Sequence, residues 1–256
     1  MSADEPTIPS VWVRGRRGRE QPALSREQIV AEAVRLLDDE GIDALSMRRL
    51  GTRLGAGATS LYRHVTNRDE LIELVVDEVY GEIRVPDPDD PAGWRAGAIV
   101  CADSVRSTIL RHPWIASLLG QVGLSYLGPN VMRLNDRALA LFEAAGFSLA
   151  EADQALSSLI GYVIGMATAE AAWLTTLARS GQNEREWEQS LRAAAEQAAR
   201  SYPRLREIAA TGNENPQQAR DDSFAYGLEL ILDGLAARRL EPPEGSADGW
   251  TAEPRR

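Results

Sequence analysis

Lysine is absent: all 28 basic residues of this 256-residue chain are arginine. Cysteine occurs once, at Cys101, which excludes an intrachain disulfide and any cysteine-based zinc cluster. The two histidines, His64 and His112, are too few for a His-rich metal centre, so neither a metal nor a cofactor is expected. No uninterrupted apolar run reaches about 18 residues, so no membrane span is expected. Residues 1–10 are acidic and carry no apolar core, so no secretory signal is visible and a cytoplasmic location is expected. Period-two β-branched runs are missing, which argues against strands. The chain has no Gly-x-Ser-x-Gly elbow, no phosphate-binding glycine loop and no His-Glu-x-x-His. Glu170, near Trp173, reads as a lone acid without a second acid/base partner. An enzyme is therefore not expected.

What is present is an ordinary globular balance, 44% hydrophobic and 26% charged, which excludes wholesale disorder. The formal net charge is −10 and the pI is near 4.9. Spread evenly, that charge would argue against nucleic acid. It is not spread evenly. Residues 11–68 hold eleven arginines against seven acids, a net +4. Residues 1–10 carry −2, which leaves −12 for 69–256. A small basic head precedes a large acidic body, and local charge governs contact with a polyanion.

The periodicity is helical throughout, so the fold class is all-α. Four regions are expected: a flexible basic arm over 1–24, a helical head with its connecting helix over 25–85, a larger helical body over 86–240, and a disordered tail over 241–256. In the arm, Gly15, Gly18 and Pro22 interrupt Arg14, Arg16, Arg17 and Arg19. Ser25 with Gln28 makes a capping box for a first helix that ends at Gly41. Ser46 caps a short helix from Met47 to Leu54. After Gly55-Ala56-Gly57 another short helix runs from Ala58 to Val65. Asn67 and Glu70 start a fourth, to about Glu82. Pro86, Pro88 and Pro91 mark a linker. Further helices are read near 92–111, 113–120, 129–145, 148–180, 184–201 and 217–239.

Residues 46–65, a short helix, a glycine-containing turn and a second short helix, have the spacing of a helix-turn-helix. The alternative is a generic helical hairpin. The second helix offers Thr59, Ser60, Tyr62, Arg63 and His64, which suit contacts to phosphate, sugar and guanine edges. Tyr62 is open to two readings, a phosphate contact or a core residue; Leu61 faces inward.

Met47-Arg48-Arg49-Leu50 through Gly55, followed by Ser60-Leu61-Tyr62-Arg63-His64-Val65-x-Asn67-Arg68-Asp69-Glu70-Leu71, resembles the tetracycline-repressor family of bacterial transcriptional regulators. In the body, His112-Pro113-Trp114, Gly128-Pro129-Asn130, Gly146-Phe147-Ser148-Leu149 and Phe224-x-x-Gly227-Leu228-Glu229-Leu230-Ile231-Leu232-x-Gly234-Leu235 look like that family's ligand-binding and dimerising domain. The resemblance covers about 25–239. It implies a helix-turn-helix head, a homodimer, a palindromic double-stranded DNA operator and release by a small bulky amphipathic effector. The implied role is repression of an efflux or antibiotic-related gene.

By the resemblance Arg48 stands at a base-contacting position and Arg68 at a phosphate contact on a helix N-terminus. Three departures are visible. Gly57 occupies the usual N-cap of the recognition helix, Thr66 replaces a frequent lysine, and the arginine arm is longer, like the extensions of some actinobacterial antibiotic-export repressors. Arginine suits a narrow minor groove, which makes the arm a DNA contact. By position the effector pocket draws on Cys101, Val105, Trp114, Leu118, Met132, Asn135, Leu139, Tyr162, Met166 and Trp173. Relatives that hold magnesium-tetracycline use pocket histidines. The body here has only His112, read as a helix-end residue, so the ligand expected is not tetracycline. Phe224, Gly227, Leu228, Ile231 and Leu235 are expected at the dimer interface, with Gly227 and Gly234 permitting close approach; intrachain burial is the alternative. An activator, or a non-catalytic helical interaction module, is the other functional class. The module accounts for the acidic body but not for the Leu-Tyr-x-His block.

Overall fold

A computed structural model describes residues 24–119, 128–210 and 215–240. Among them every regular element is helical. The tail, like residues 1–23 of the arm, lies outside the described residues.

The head opens with α1 (Arg26–Glu40). Ser25 accepts from the Gln28 N–H while the Gln28 side chain accepts from the Ser25 N–H, which closes the capping box. Ile29, Ala33, Leu36 and Leu37 line its buried face. Gly41, at φ 80°, turns the chain out of α1 into a 3₁₀ turn at Ile42–Ala44. Next come α2 (Met47–Arg53), capped by Ser46, and α3 (Ala58–Leu61). The latter is shorter than the sequence suggests. After Leu61 the chain tightens into a turn, with the His64 N–H on Leu61 O at 2.8 Å, so Arg63 and His64 follow the helix rather than lie within it. Gly57 is its N-cap and supplies no side-chain acceptor. Asn67 caps α4 (Arg68–Tyr80). Glu70 reaches back one residue further than a capping box requires, to the Thr66 N–H at 2.5 Å. The hydrogen bonding at Thr66 holds the Glu70 carboxyl below its ordinary range.

The body contains α5 (Gly93–Arg111), a 3₁₀ turn (Pro113–Ile115), α6 (Ala116–Leu119), α7 (Pro129–Ala144), α8 (Leu149–Ser180), α9 (Glu184–Ala198), α10 (Pro203–Ala210) and α11 (Pro216–Leu240). By length and composition α8 could cross a bilayer, although its apolar run is interrupted. Here it is the central helix of the body: Ala155, Leu159, Val163 and Ala167 are buried, and it packs against α5, α7 and α11. Nearly all the buried apolar residues form one contiguous cluster from Ile29 in the head to Leu232 in α11. Head and body therefore share a core.

Two polar links also tie them. Asp77, on α4, caps the first turn of α7: its Oδ1 accepts from the Asn130 and Val131 N–H groups at 2.9 and 3.1 Å. The Asn130 amide returns a bond to the Asp77 carbonyl at 3.0 Å. A Cβ on Gly128 would collide with the Asp77 carboxylate, so only glycine lets α4 approach. The second link joins Asp38, near the end of α1, to the turn after α5. Trp114 Nε1 donates to Asp38 Oδ1 at 2.7 Å, and His112 Nδ1 lies 2.7 Å from the same oxygen. His112 Nε2 lies 3.3 Å from Glu82.

Candidate functional site

Two short helices hold a fixed angle only where their backbones can touch. Gly51 makes this possible: a Cβ there would meet Ala56 O at 2.8 Å and the Leu61 side chain at 3.0 Å. The Ala56 N–H donates to Gly51 O at 2.8 Å. Leu50 and Leu61 are fully buried beneath the turn against α1. This places Thr59, Ser60, Tyr62 and Arg63 in solvent, with His64 half-buried. Tyr62 is 52% exposed, so core packing does not account for it.

The arginines of the head divide into two groups. Arg53 is surrounded by carboxylates, with Glu32 at 2.6 Å, Asp39 at 2.9 Å and Glu40 at 3.5 Å. Arg49 pairs with Glu40, and Arg35 with Glu32. Arg26 donates to the His64 carbonyl at 3.2 Å and pairs with Glu70 at 3.4 Å, which fastens the end of the α3 turn to α1. Arg68 donates to the Leu45 and Ile42 carbonyls at 3.2 and 3.3 Å. Its guanidinium is thus committed to the turn before α2, a task the sequence does not reveal. Among the described residues of α1 to α4, only the Arg48 and Arg63 guanidiniums have no partner, and both are exposed. The acids of α1 compensate much of the head's positive charge; what stays uncompensated in the helix-turn-helix lies on α2, at Arg48, and in the turn after α3, at Arg63. Arg14, Arg16, Arg17 and Arg19 lie outside the described residues.

In the body, a cavity of about 300 Å³ lies between α5, α7 and α8. Of the sequence-derived lining, Cys101, Val105, Met132 and Asn135 border it. The other six do not. Trp114 and Leu118 are buried in the core, and Trp114 is turned onto Asp38. Leu139 is half-buried outside the lining. Tyr162, Met166 and Trp173 lie on α8, on the side facing α11. In their place α8 contributes Leu156, Ile160 and Ile164, while Thr108 and Ile115 come from α5 and the turn after it. The reason is angular: helix positions two apart point about 200° apart, so Tyr162 and Ile160 cannot share a face. The i, i+4 stripe 156–160–164 was the readable signal. The cavity is chiefly apolar, with Thr108 and Asn135 as polar points. Burial pushes the Cys101 thiol up to about 11, so it is an inert wall residue.

Met166 and Trp173 border a second recess, of about 390 Å³, between α8, α9 and α11. Its floor is ionic. Glu170 is not a lone acid: Arg106 grips it with bonds of 2.8 and 3.0 Å, and Arg220 adds a third of 3.1 Å. Arg106 also reaches Asp221 at 2.7 Å. Burial alone would lower the Arg106 pKa, but its bonds to Glu170 and Asp221 outweigh it and raise the pKa. A fully paired carboxylate is an anchor for α11.

Within one chain the residues expected at the interface differ in exposure. Phe224 and Leu228 are buried within their own chain. Gly227 makes room for Tyr162: a Cβ would collide with its ring and hydroxyl, and that hydroxyl donates to Phe224 O at 2.8 Å. That glycine therefore serves an intrachain contact with Tyr162, and a Cβ at Gly234 would meet nothing within 4 Å in its own chain. Ile231 and Leu235 are half-buried. The exposed face of α11 carries Tyr226 and Leu230 instead, 68% and 56% exposed.

Residues 29–75 match the model of the bacterial regulatory proteins of the tetR family, and 87–239 match the tetracyclin repressor-like C-terminal domain. An HTH-type transcriptional regulator of Saccharopolyspora erythraea is 39% identical over 173 residues, 67% of this chain and 72% of that protein. The HTH-type transcriptional repressor DrrR1 of Streptomyces coeruleorubidus is 32% identical over 235 residues, 90% of this chain and 84% of the relative. Among solved structures, ActR of Streptomyces coelicolor in complex with actinorhodin aligns with a TM-score of 0.68 at 33% identity. That alignment covers 85% of this chain and 99% of ActR.

Proposed function

This chain belongs to the tetracycline-repressor family of bacterial transcriptional regulators, and from that premise we propose that it is a homodimeric repressor released from its operator by a small amphipathic molecule. One observation carries the reading. The helix-turn-helix that presents two unpaired arginines is joined through α4 to helices that wall an apolar cavity. A ligand that spreads α5, α7 and α8 acts on α7, whose first turn is capped by Asp77 of α4. It also acts on the turn holding Trp114 against Asp38 of α1. Both links transmit a shift in the body to the angle of the head, which sets the half-site spacing a dimer can span.

Thr59, Ser60 and Tyr62 supply hydroxyls to phosphate and sugar. Arg48, Arg63 and His64 read base edges, and the arm adds minor-groove contacts. Arg68 positions the turn before α2 and leaves the helix N-terminus to the phosphate. The dimer buries the exposed faces of α8 and α11, around Gly161, Gly165, Tyr226 and Leu230. The genes controlled are those of efflux or antibiotic response, and a DNA-bound regulator of this kind works in the cytoplasm.

The test is selection of a bound duplex from a randomised pool at physiological salt, followed by titration with amphipathic compounds. Since ActR binds actinorhodin, that compound is the first to try. A palindrome bound by two chains and released by a compound that fills the cavity is expected. Binding no tighter than to random duplex would refute the reading.

A further inference from the structure

The apolar cavity opens beside a second space. A cleft of about 420 Å³ shares three of its walls, Tyr80, Ile83 and Leu134, so the two are neighbouring compartments of one recess. Their chemistries differ. The cleft is bordered by three arginines, Arg84 from the segment after α4 and Arg133 and Arg137 from α7, and by no acidic side chain. In a body that carries −12 this is a local inversion of charge.

These arginines are not ion-paired among the described residues, whereas the three on α5 are. Arg95 pairs with Asp233, Arg106 with Glu170, and Arg111 with Glu82. Arg133 donates only to the neutral Asn130, at 2.5 Å, and both residues border the cleft. Arg133 and Arg137 are four residues apart on α7, so their guanidiniums emerge on one face, where like charges repel. Arg84 borders the same cleft from the segment after α4, where its main-chain N–H donates to the Ser104 hydroxyl at 2.9 Å and Val85 beside it is buried. Three cations kept close without a counter-charge, next to an apolar cavity, describe a receptor for an amphipathic anion.

We propose that the effector is an acid: its apolar part occupies the cavity, and its carboxylate, sulfonate or similar anionic group is held by Arg84, Arg133 and Arg137 in the adjoining cleft. The proposal rests on the cavity's being the effector site. It also gives the anion a mechanical role. Arg84 belongs to the connector that leaves α4, and Arg133 and Arg137 belong to α7, so one anionic group bridges the segment leading to the head and a helix of the body.

Two probes of similar size separate charge from shape: anilinonaphthalene sulfonate, an anion, and phenylnaphthylamine, its neutral counterpart. Binding to the full-length protein is followed by fluorescence, with each probe competed against the other. The variants are Arg84→Gln, Arg133→Gln and Arg137→Gln, singly and together, and Arg179→Gln at the exposed end of α8 serves as the charge control. All these side chains are exposed, so the fold should survive, and the melting curve checks that it does. The expected result is mutual competition, a loss of sulfonate affinity on the order of tenfold in the triple variant, and neutral-probe affinity unchanged within about twofold. The control should leave both unchanged, and rising salt should weaken only the sulfonate. Equal loss for both probes, no loss for either, or no competition overturns the proposal. Operator release is scored separately. If the neutral probe releases DNA from the triple variant while sulfonate binding ignores the arginines, the regulator reading stands and the acid site falls. If sulfonate binding needs the arginines yet neither probe releases DNA, the acid site stands and effector-driven release falls.

Discussion

Arg63→Ala and Arg53→Ala should have opposite consequences, although both remove one arginine from the head. The guanidinium of Arg63 has no partner among the described residues, while Arg53 lies within 3.5 Å of three carboxylates. Each phosphate neutralised by protein contributes about 0.9 to the slope of log affinity against log salt. In the proposed dimer two heads bind one operator, so if Arg63 neutralises a phosphate, its removal lowers the slope by roughly 1.8. If Arg63 instead reads a guanine, its removal costs about 1–3 kcal/mol per half-site and relaxes the preference at one base pair, with little change of slope. Arg53 touches no DNA in either case. Its removal takes a second cation from Glu32 and Glu40, which keep Arg35 and Arg49, and leaves Asp39 without one, so it lowers the head's melting temperature and leaves the salt slope where it was. The assay is fluorescence anisotropy of a labelled operator from about 50 to 200 mM salt, with melting curves in parallel. Arg48→Ala should follow Arg63→Ala, and Arg49→Ala should follow Arg53→Ala. An equal fall in slope for Arg53→Ala and Arg63→Ala would refute the inference from ion pairing to DNA binding.

Three further outcomes follow from the packing of the body. Glu170→Ala takes a shared carboxylate from two largely buried arginines; stability should fall by about 3 kcal/mol, the low end for a broken buried pair, because Arg106 keeps Asp221 and Arg220 keeps Glu184, and Glu170→Gln should cost less. Urea denaturation measures this, and a loss under about 1 kcal/mol contradicts the anchoring role. Gly227→Ala drives a methyl group into Tyr162 and should destabilise the chain, whereas Tyr162→Ala should relieve much of that cost in the double variant. Additive losses in that cycle count against the close packing of the two residues. Cys101, with its thiol raised to about 11, stays protonated through the neutral range, so iodoacetamide at about pH 8 should label the native protein far more slowly than the unfolded one. Equal labelling rates by mass spectrometry contradict the buried placement.

Much of the head was legible because its signals are short-ranged. Ser25, Ser46 and Asn67 cap helices through bonds spanning three residues, and the sequence places those caps where they are found. Leu50 and Leu61 were readable as inward residues for the same reason. The length of α3 was less legible, since a turn and a final helical coil look alike over three residues. In the body the helices were readable but their facing was not. Tyr162, Met166 and Trp173 attract attention by composition, yet α8 presents Ile160 and Ile164 to the cavity. A helix of 32 residues has apolar positions on more than one side, and only its neighbours decide which side meets which.

The sequence by itself determined the all-helical class, the split of charge between head and body, and the motifs that mark the family. These depend on residue types and on spacings within one helical turn or one short motif. Tertiary structure alone decided which arginines remain free, that Glu170 is an anchor rather than a lone acid, and that Gly227 receives Tyr162. It also decided that Arg84, Arg133 and Arg137 face one cleft. Those facts join residues far apart in the chain, such as Arg106 and Asp221, 115 positions apart, or Asp38 and Trp114, 76 apart. A charge can be counted from a sequence, but its compensation depends on distance through space, and only packing sets that distance.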